Sequence, residues 1–314
     1  MNILITGAAG FIGYHVMRAL SRDNIVIGID NFSHSSLAPI KIEYEYESIS
    51  SLDKFITYGD VRYNDTLPEF IDWSDIVIHL AGINSIDNSI DTPYETLDVN
   101  LIGTTNILEN AKRFSKKVIY LSSGTVYGAA KEVGSEESQK LVPTSIYSAV
   151  AIAAENLCWT YYYVYGVDIS VLRAFNVFGS YQRNDVTGSV VSRIVDALLK
   201  EQKIYIYGDG LQAKDFVSVD QVVDSIGLIL RNDYYGYPIN VGSGVSTAII
   251  DLVSMLKSIT NCSSDIVHMA PRMGDIKMMR ADTLQSKQLG ISFNRDLTYY
   301  LQKYVDWVKS TNKG

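Results

Sequence analysis

The sequence predicts an α/β fold in which a doubly wound parallel sheet, covered by helices on both faces, is followed by a smaller C-terminal α/β lobe. Three observations point there. Strand-like apolar runs alternate with helical patterns up to about residue 175, as parallel βαβ units require. The run ITGAAGFIG, with Gly7, Gly10 and Gly13 three residues apart after Met1-Asn2-Ile3-Leu4-Ile5, reads as a buried strand, a tight turn and a helix start. Beyond 175 the pattern changes to helices at about 187–200, 219–231, 246–258 and 296–309, with short strands between them.

The opening strand and a helix over 11–21 lead to the apolar run Ile25-Val26-Ile27-Gly28-Ile29, a second strand ending in Asp30. Further strands are expected over 55–58, 76–80, 118–122 and 169–172. Ligands bind at the carboxyl ends of the strands in such a sheet, and Gly7, Asp30, Asp60, Ala81 and Ser122 all fall there. The chain is therefore expected to divide into a Rossmann-type nucleotide-binding domain, 1–175, and a substrate lobe over the cofactor, 176–314. No stretch rich in Gly, Ser and Pro separates the halves, so segments are expected to interchange between lobes. The tyrosine-rich run WTYYYVYG at 159–166 reads as a helix face packed on protein.

The glycines let the backbone approach a pyrophosphate, and the helix N-terminus that follows offers unpaired N–H groups and a partial positive charge. An acid about 20 residues further on suits ribose hydroxyls. Asp30 would repel a 2′-phosphate, so the expected cofactor is NAD rather than NADP.

With 314 residues, 47% hydrophobic and 20% charged, the chain has the composition of a globular protein with one large core or two modest ones. A net charge of −8 and a pI near 5.0 disfavour nucleic-acid or anionic-membrane partners, which need a basic stripe. The basic residues at 112–117 read as a solvated helix end. Met1 leads straight into a strand and no apolar run approaches the length of a membrane span, so a cytoplasmic chain without signal peptide is expected. Cys158 and Cys262 lack metal or disulfide spacing and read as reduced thiols, and the four histidines are scattered, so no metal is expected.

Nearly end to end, the chain resembles the extended short-chain dehydrogenase/reductase family, specifically its NAD-dependent nucleotide-sugar epimerases and dehydratases. The resemblance rests on ITGAAGFIG, GIDNF, YGDVR, HLAGINSI, DVNLIGTTNILE, YLSSGTVYG, the Tyr147 helix with Glu155, LRAFNVFG, YGDGLQAKDFVSV, INVGSG and APRMGD. It implies that Gly7, Gly10, Phe11, Ile12 and Gly13 hold the pyrophosphate, that Asp30 and Asn31 meet the adenosine ribose, and that Asp60 and Val61 flank the adenine. It further implies that Leu80, Ala81 and Gly82 line the middle of the cofactor, and that Asn100, Ser122, Tyr147 and Phe175 line its nicotinamide end.

In this family a tyrosine phenolate takes the proton of a sugar hydroxyl while hydride passes from the same carbon to NAD, and a serine or threonine positions the sugar. The resemblance gives Tyr147 the first role and Ser123 the second. A tyrosine with a pKa of about 10 is a poor base at neutral pH, so the family places a lysine one helical turn later to lower it. This chain has Ala151 there. Two origins fit: a substitution that traps substrate in a working enzyme, or a natural chain without the lysine. Either implies turnover depressed by about 10²- to 10⁴-fold. Tyr127 reads as core, and Glu155 as a helix-surface acid with no assigned chemistry.

For substrate, the resemblance implies contacts from Asn176, Lys214, Arg272 and Asp275. Lys214 stands where an arginine is typical and brings charge without the bidentate fork, leaving Arg272 most of the phosphate recognition and Asp275 the nucleotide's ribose. A 4,6-dehydratase has an Asp-Glu pair after the hydroxyl residue; here Gly124-Thr125 follows Ser123, as in 4-epimerases. The expected activity is a nucleotide-hexose 4-epimerase working through a transient 4-keto sugar, on UDP-glucose/galactose or the N-acetylhexosamine pair. A dehydratase, decarboxylase, 4-reductase or silent binding protein stays open. Helices over 97–113 and 146–165 would pair with their copies in a homodimer.

Overall fold

The computed structural model describes residues 1–33, 54–129, 134–183, 188–271 and 276–311. The chain forms two compact units, each drawn from three stretches: Met1–Ser123, Ser145–Arg173 and Val223–Ile239 in the first, and Gly124–Thr144, Ala174–Val222 and Asn240–Gly314 in the second.

The first unit begins with β1 (Asn2–Thr6), α1 (Phe11–Leu20), β2 (Ile25–Asp30), β3 (Lys54–Tyr58), α2 (Leu67–Trp73) and β4 (Ile76–His79). It continues through α3 (Ile86–Asp91), α4 (Pro93–Leu97), a π-helical turn (Asp98–Ile102), α5 (Gly103–Phe114) and β5 (Lys117–Ser123) to α6 (Ile146–Tyr165) and β6 (Ile169–Ala174). All of β4 and β6 is buried, the signature of strands covered on both faces. Capping fixes α6 at each end: Ser145 accepts from the Ser148 N–H in a capping box, and Gly166 closes the helix at φ 70°.

The second unit holds a 3₁₀ turn (Gly124–Tyr127), β7 (Asn176–Phe178), α7 (Val190–Leu199), β8 (Ile204–Tyr207) and β9 (Ala213–Ser218). Then α8 (Val219–Asn232) and β10 (Pro238–Val241) straddle the division, and β11 (Ser246–Ala248), α9 (Ile249–Thr260), β12 (Ile266–Met269), α10 (Leu284–Gln288) and α11 (Leu297–Thr311) follow.

The principal sheet runs β3-β2-β1-β4-β5-β6-β10. Its order from β3 to β6 is that of a doubly wound dinucleotide fold, whose strand order reverses between β1 and β4. Leu4 of β1 sits between Ile27 of β2 and Val77 of β4, both in parallel register. A core including Leu4, Val77, Ile107, Val118 and Val171 fills the first unit. In the second unit a separate core, including Phe178, Val195, Leu252 and Val305, packs with the sheets β11-β9-β7 and β12-β8.

The expected strands are present with ends shifted by a few residues, and four expectations change. The helix over 97–113 is interrupted by the π turn, which carries the buried Asn100; such turns widen a helix locally and are frequent at functional sites. Residues 246–248 are a strand, because they pair antiparallel with Ala213, Lys214 and Asp215 before α9 begins. Tyr161 is buried, but Tyr163, Val164 and Tyr165 are exposed: Tyr163 points to the opposite side of the helix, whereas Tyr165 shares the face of Tyr161, their rings 5.1 Å apart, and is exposed as the last residue of α6. Glu155 is not on the surface; it is fully buried beside Arg173.

Candidate active site

The glycine turn after β1 is closed to larger side chains. Gly7 has φ +69°, and a Cβ there would meet the backbone of Leu80 and Ala81 at 2.7–2.8 Å. A Cβ on Gly13 would lie 2.0 Å from the Gly7 carbonyl oxygen, and the Gly10 N–H donates to that same oxygen. No side chain caps α1 at Gly10, which leaves the helix N-terminus to an anion. Phe11 and Ile12 open that helix, both half-buried.

At the end of β2, Asp30 accepts from the Ala9 N–H at 2.9 Å and from the Phe32 N–H at 2.7 Å. Asn31 donates to Asp60 at 2.9 Å, and Arg62 grips the same carboxylate at 2.6 Å. Burial would raise the Asp60 carboxyl, but the hydrogen bonds from Arg62 and Asn31 outweigh it and hold the pKa at about 2. Sequence reasoning missed Arg62, although it follows Asp60 by two residues. Val61 is buried against Gly103.

Leu80, Ala81 and Gly82 follow β4. Their loop is gripped from the π turn: the Asn100 side chain accepts from the Ile83 N–H at 2.7 Å and donates to the Ile83 carbonyl at 2.8 Å. Asn100 therefore holds the loop, with both ends of its amide engaged.

Ser122 and Ser123 close β5. Ser122 Oγ donates to Glu155 at 2.5 Å, and Glu155 is forked against Arg173. Ser123 hydrogen-bonds the Tyr147 hydroxyl, so the structure brings the predicted pair together. Tyr147 lies in the first turn of α6, where its N–H donates to Ser89 Oγ. Burial pushes its hydroxyl above the ordinary tyrosine pKa, and the Ser123 bond offsets only part of the rise. Ala151, one turn on, is buried and brings no charge.

Within the second unit, Phe175 is buried and stacks on Tyr127 at 6.2 Å between centroids. Tyr127 is core, its hydroxyl donating to Asn240 at 2.7 Å. Asn176 donates to the Asp215 carbonyl at 2.9 Å, and Lys214 Nζ to the Ile276 carbonyl at 2.5 Å. Arg272 and Asp275 lie outside the described residues. Among the described residues there is no His, Cys, Asp and Glu cluster suited to a metal, and no helix long and apolar enough to cross a membrane.

The cradle that only glycine fits, the uncapped helix and the acid at the end of β2 together fit a dinucleotide. Comparison with known proteins agrees. The family model described as the NAD dependent epimerase/dehydratase family matches residues 3–242. A putative UDP-glucose 4-epimerase of Methanocaldococcus jannaschii is 30% identical, covering 99% of each chain. Two solved structures superpose closely. One is UDP-glucose 4-epimerase from Thermotoga maritima with UDP-glucose, with TM-score 0.91, 28% identity and coverage of 99% of this chain and 100% of the other. The second is UDP-N-acetylglucosamine 4-epimerase from Methanobrevibacter ruminantium M1 in complex with UDP-N-acetylmuramic acid, with TM-score 0.90, 30% identity and coverage of 99% and 98%. With the glycine cradle, the strand order and a match over most of its length in accord, the chain belongs to the NAD-dependent epimerase/dehydratase family.

Proposed function

We propose that this chain is a nucleotide-sugar 4-epimerase whose turnover is depressed by Ala151. The hydrogen-bonded pair Ser123 and Tyr147, in the unit that carries the glycine cradle, carries this reading. The bound nicotinamide supplies a reversible hydride acceptor for C4 of the sugar. Tyr147 Oη takes the proton of the 4-hydroxyl and later returns it, while Ser123 Oγ orients that oxygen. Gly124 and Thr125 bring no acid or base, as suits a reaction that removes no water.

In this reading Gly7, Gly10, Phe11, Ile12 and Gly13 present backbone amides to the pyrophosphate, and Asp30 with Asn31 receives the ribose hydroxyls. Asp60 and Val61 border the adenine, Leu80, Ala81 and Gly82 the middle, and Ser122 and Phe175 the nicotinamide end, with Asn100 acting through the loop it holds. Asn176, Lys214, Arg272 and Asp275 take the nucleotide sugar. The related 4-epimerases act on UDP-sugars, which supports a UDP-hexose or UDP-N-acetylhexosamine substrate. A homodimer fits the exposed Tyr94, Leu97 and Ile102 on one helix and Tyr163 and Val164 on the other, and light scattering would measure it. A cytoplasmic location accords with the sequence.

Product analysis by NMR on UDP-glucose and UDP-N-acetylglucosamine, with this chain and Ala151→Lys in parallel, tests the activity. C4 epimers formed faster by the lysine variant support it. No product from either, with NAD bound, favours a silent binding protein or another sugar-nucleotide reaction.

A further inference from the structure

His79 ends β4 inside the first unit, fully buried, and the reaction gives it no role. Its ring lies between two threonines: Nδ1 is 2.7 Å from Thr6 Oγ1, and Nε2 is 3.0 Å from Thr104 Oγ1. The proton positions follow from counting donors. Thr6 Oγ1 already accepts from the N–H groups of Leu80 and Ala81, at 3.2 and 3.1 Å. A hydroxyl has two acceptor sites and one hydrogen, so the Thr6 hydrogen goes to Nδ1, which must be bare. On the other side, Thr104 donates its hydrogen to the Asn100 carbonyl at 2.6 Å. Thr104 Oγ1 can therefore only accept from the ring, and Nε2 must carry the hydrogen.

We propose that His79 is a positioning residue of the dinucleotide cradle, locked as the neutral Nε2–H tautomer in a one-way relay from Thr6 through the imidazole and Thr104 to the Asn100 backbone. The relay joins three parts of the cradle. Thr6 directly precedes the glycine turn and holds the amides of Leu80 and Ala81. Asn100 grips Ile83 beyond them. A second proton on the ring would set an N–H against the Thr6 O–H, so protonation breaks the relay; burial, which holds the His79 pKa down to about 4, works in the same direction. The functional part rests on the NAD reading above, whereas the tautomer does not.

The test is ¹⁵N NMR of the histidine-labelled chain. With four histidines in the sequence, loss of one ring system in His79→Gln identifies its signals. One pyridine-like Nδ1 and one pyrrole-like Nε2 at neutral pH is the expected result; an Nδ1–H tautomer or an imidazolium overturns the proposal. NAD titration then reads the positioning role. His79→Phe, which leaves the Thr6 hydrogen without an acceptor and takes the ring N–H from Thr104, should bind NAD about 10-fold more weakly, and His79→Gln, which keeps an N–H near Thr104, should recover part of the loss. Equal NAD affinity in a folded His79→Phe overturns that role. If the unsubstituted chain binds no NAD, the functional reading fails while the ring nitrogens still decide the tautomer.

Discussion

Glu155 and Arg173 form a forked pair, with carboxylate oxygens 2.6–3.1 Å from Nε and Nη2 and side chains only 0% and 4% exposed. The pair joins α6, which bears Tyr147, to β6, and it accepts the Ser122 hydrogen bond. Breaking a buried pair by removing one partner leaves an uncompensated charge and costs about 3–5 kcal/mol. Glu155→Ala and Arg173→Ala should each lower stability by about that amount, and Glu155→Leu with Arg173→Met by clearly less than the sum. Urea unfolding of the three variants measures the coupling.

Ala151→Lys should act on the pH dependence as well as the rate. A base works only when deprotonated, so activity falls as pH drops below the pKa of Tyr147. Burial now holds that pKa above its ordinary value; an ammonium one turn away favours the phenolate and lowers it. The acid limb of the kcat/KM profile should move to lower pH, with turnover near neutrality rising about 10²- to 10⁴-fold. An unchanged profile would mean that another group is the base.

Two glycines separate cradle from cap. Gly13→Ala forces a methyl into the Gly7 carbonyl and should cost about 1–3 kcal/mol together with NAD binding. Gly166→Ala, with φ +70° but nothing within 4 Å, should cost about 1–2 kcal/mol from backbone strain alone and leave NAD binding intact. Thermal melts and NAD titration distinguish the two.

His79 also sets a stability profile. Its folded pKa is about 4 against about 6.5 unfolded. Between those values the unfolded chain binds the proton and the folded chain does not, so stability is full above about pH 6.5 and is lost as pH falls toward 4, by up to about 3 kcal/mol. His79→Gln should lack this decline. Asp60, held at about 2, acts in a more acidic window, and the difference between the midpoints of the unsubstituted chain and His79→Gln from pH 7 to 4 isolates the histidine from the carboxyls common to both.

The periodicities that sequence carries well are those of chain-local structure. Apolar runs located the strands, and the glycine spacing with Asp30 located the turn, since each depends on neighbours within a few residues. The fate of Glu155 was not legible: its helical spacing permits a surface position, and only Arg173 arriving from β6 makes burial tolerable. His79 looks like an ordinary polar residue until Thr6 and Thr104 are known as its partners, and Asn100, expected at the cofactor from the resemblance, shows its grip on Ile83 only in the fold. The π turn leaves no mark on a 3.6-residue pattern because it shifts the helix by a single residue.

The interleaving of the two units has a consequence for synthesis. At about 5–20 residues per second the glycine turn leaves the ribosome well ahead of Val223–Ile239, the last piece of the first unit, which emerges only after a long part of the second. Until Pro238 and its neighbours arrive as β10, β6 is left an open edge of the kind that invites pairing with other chains. The glycine turn thus belongs to a unit completed late, and a nascent chain halted before residue 239 holds an unfinished sheet with β6 at its edge rather than a smaller nucleotide-binding domain.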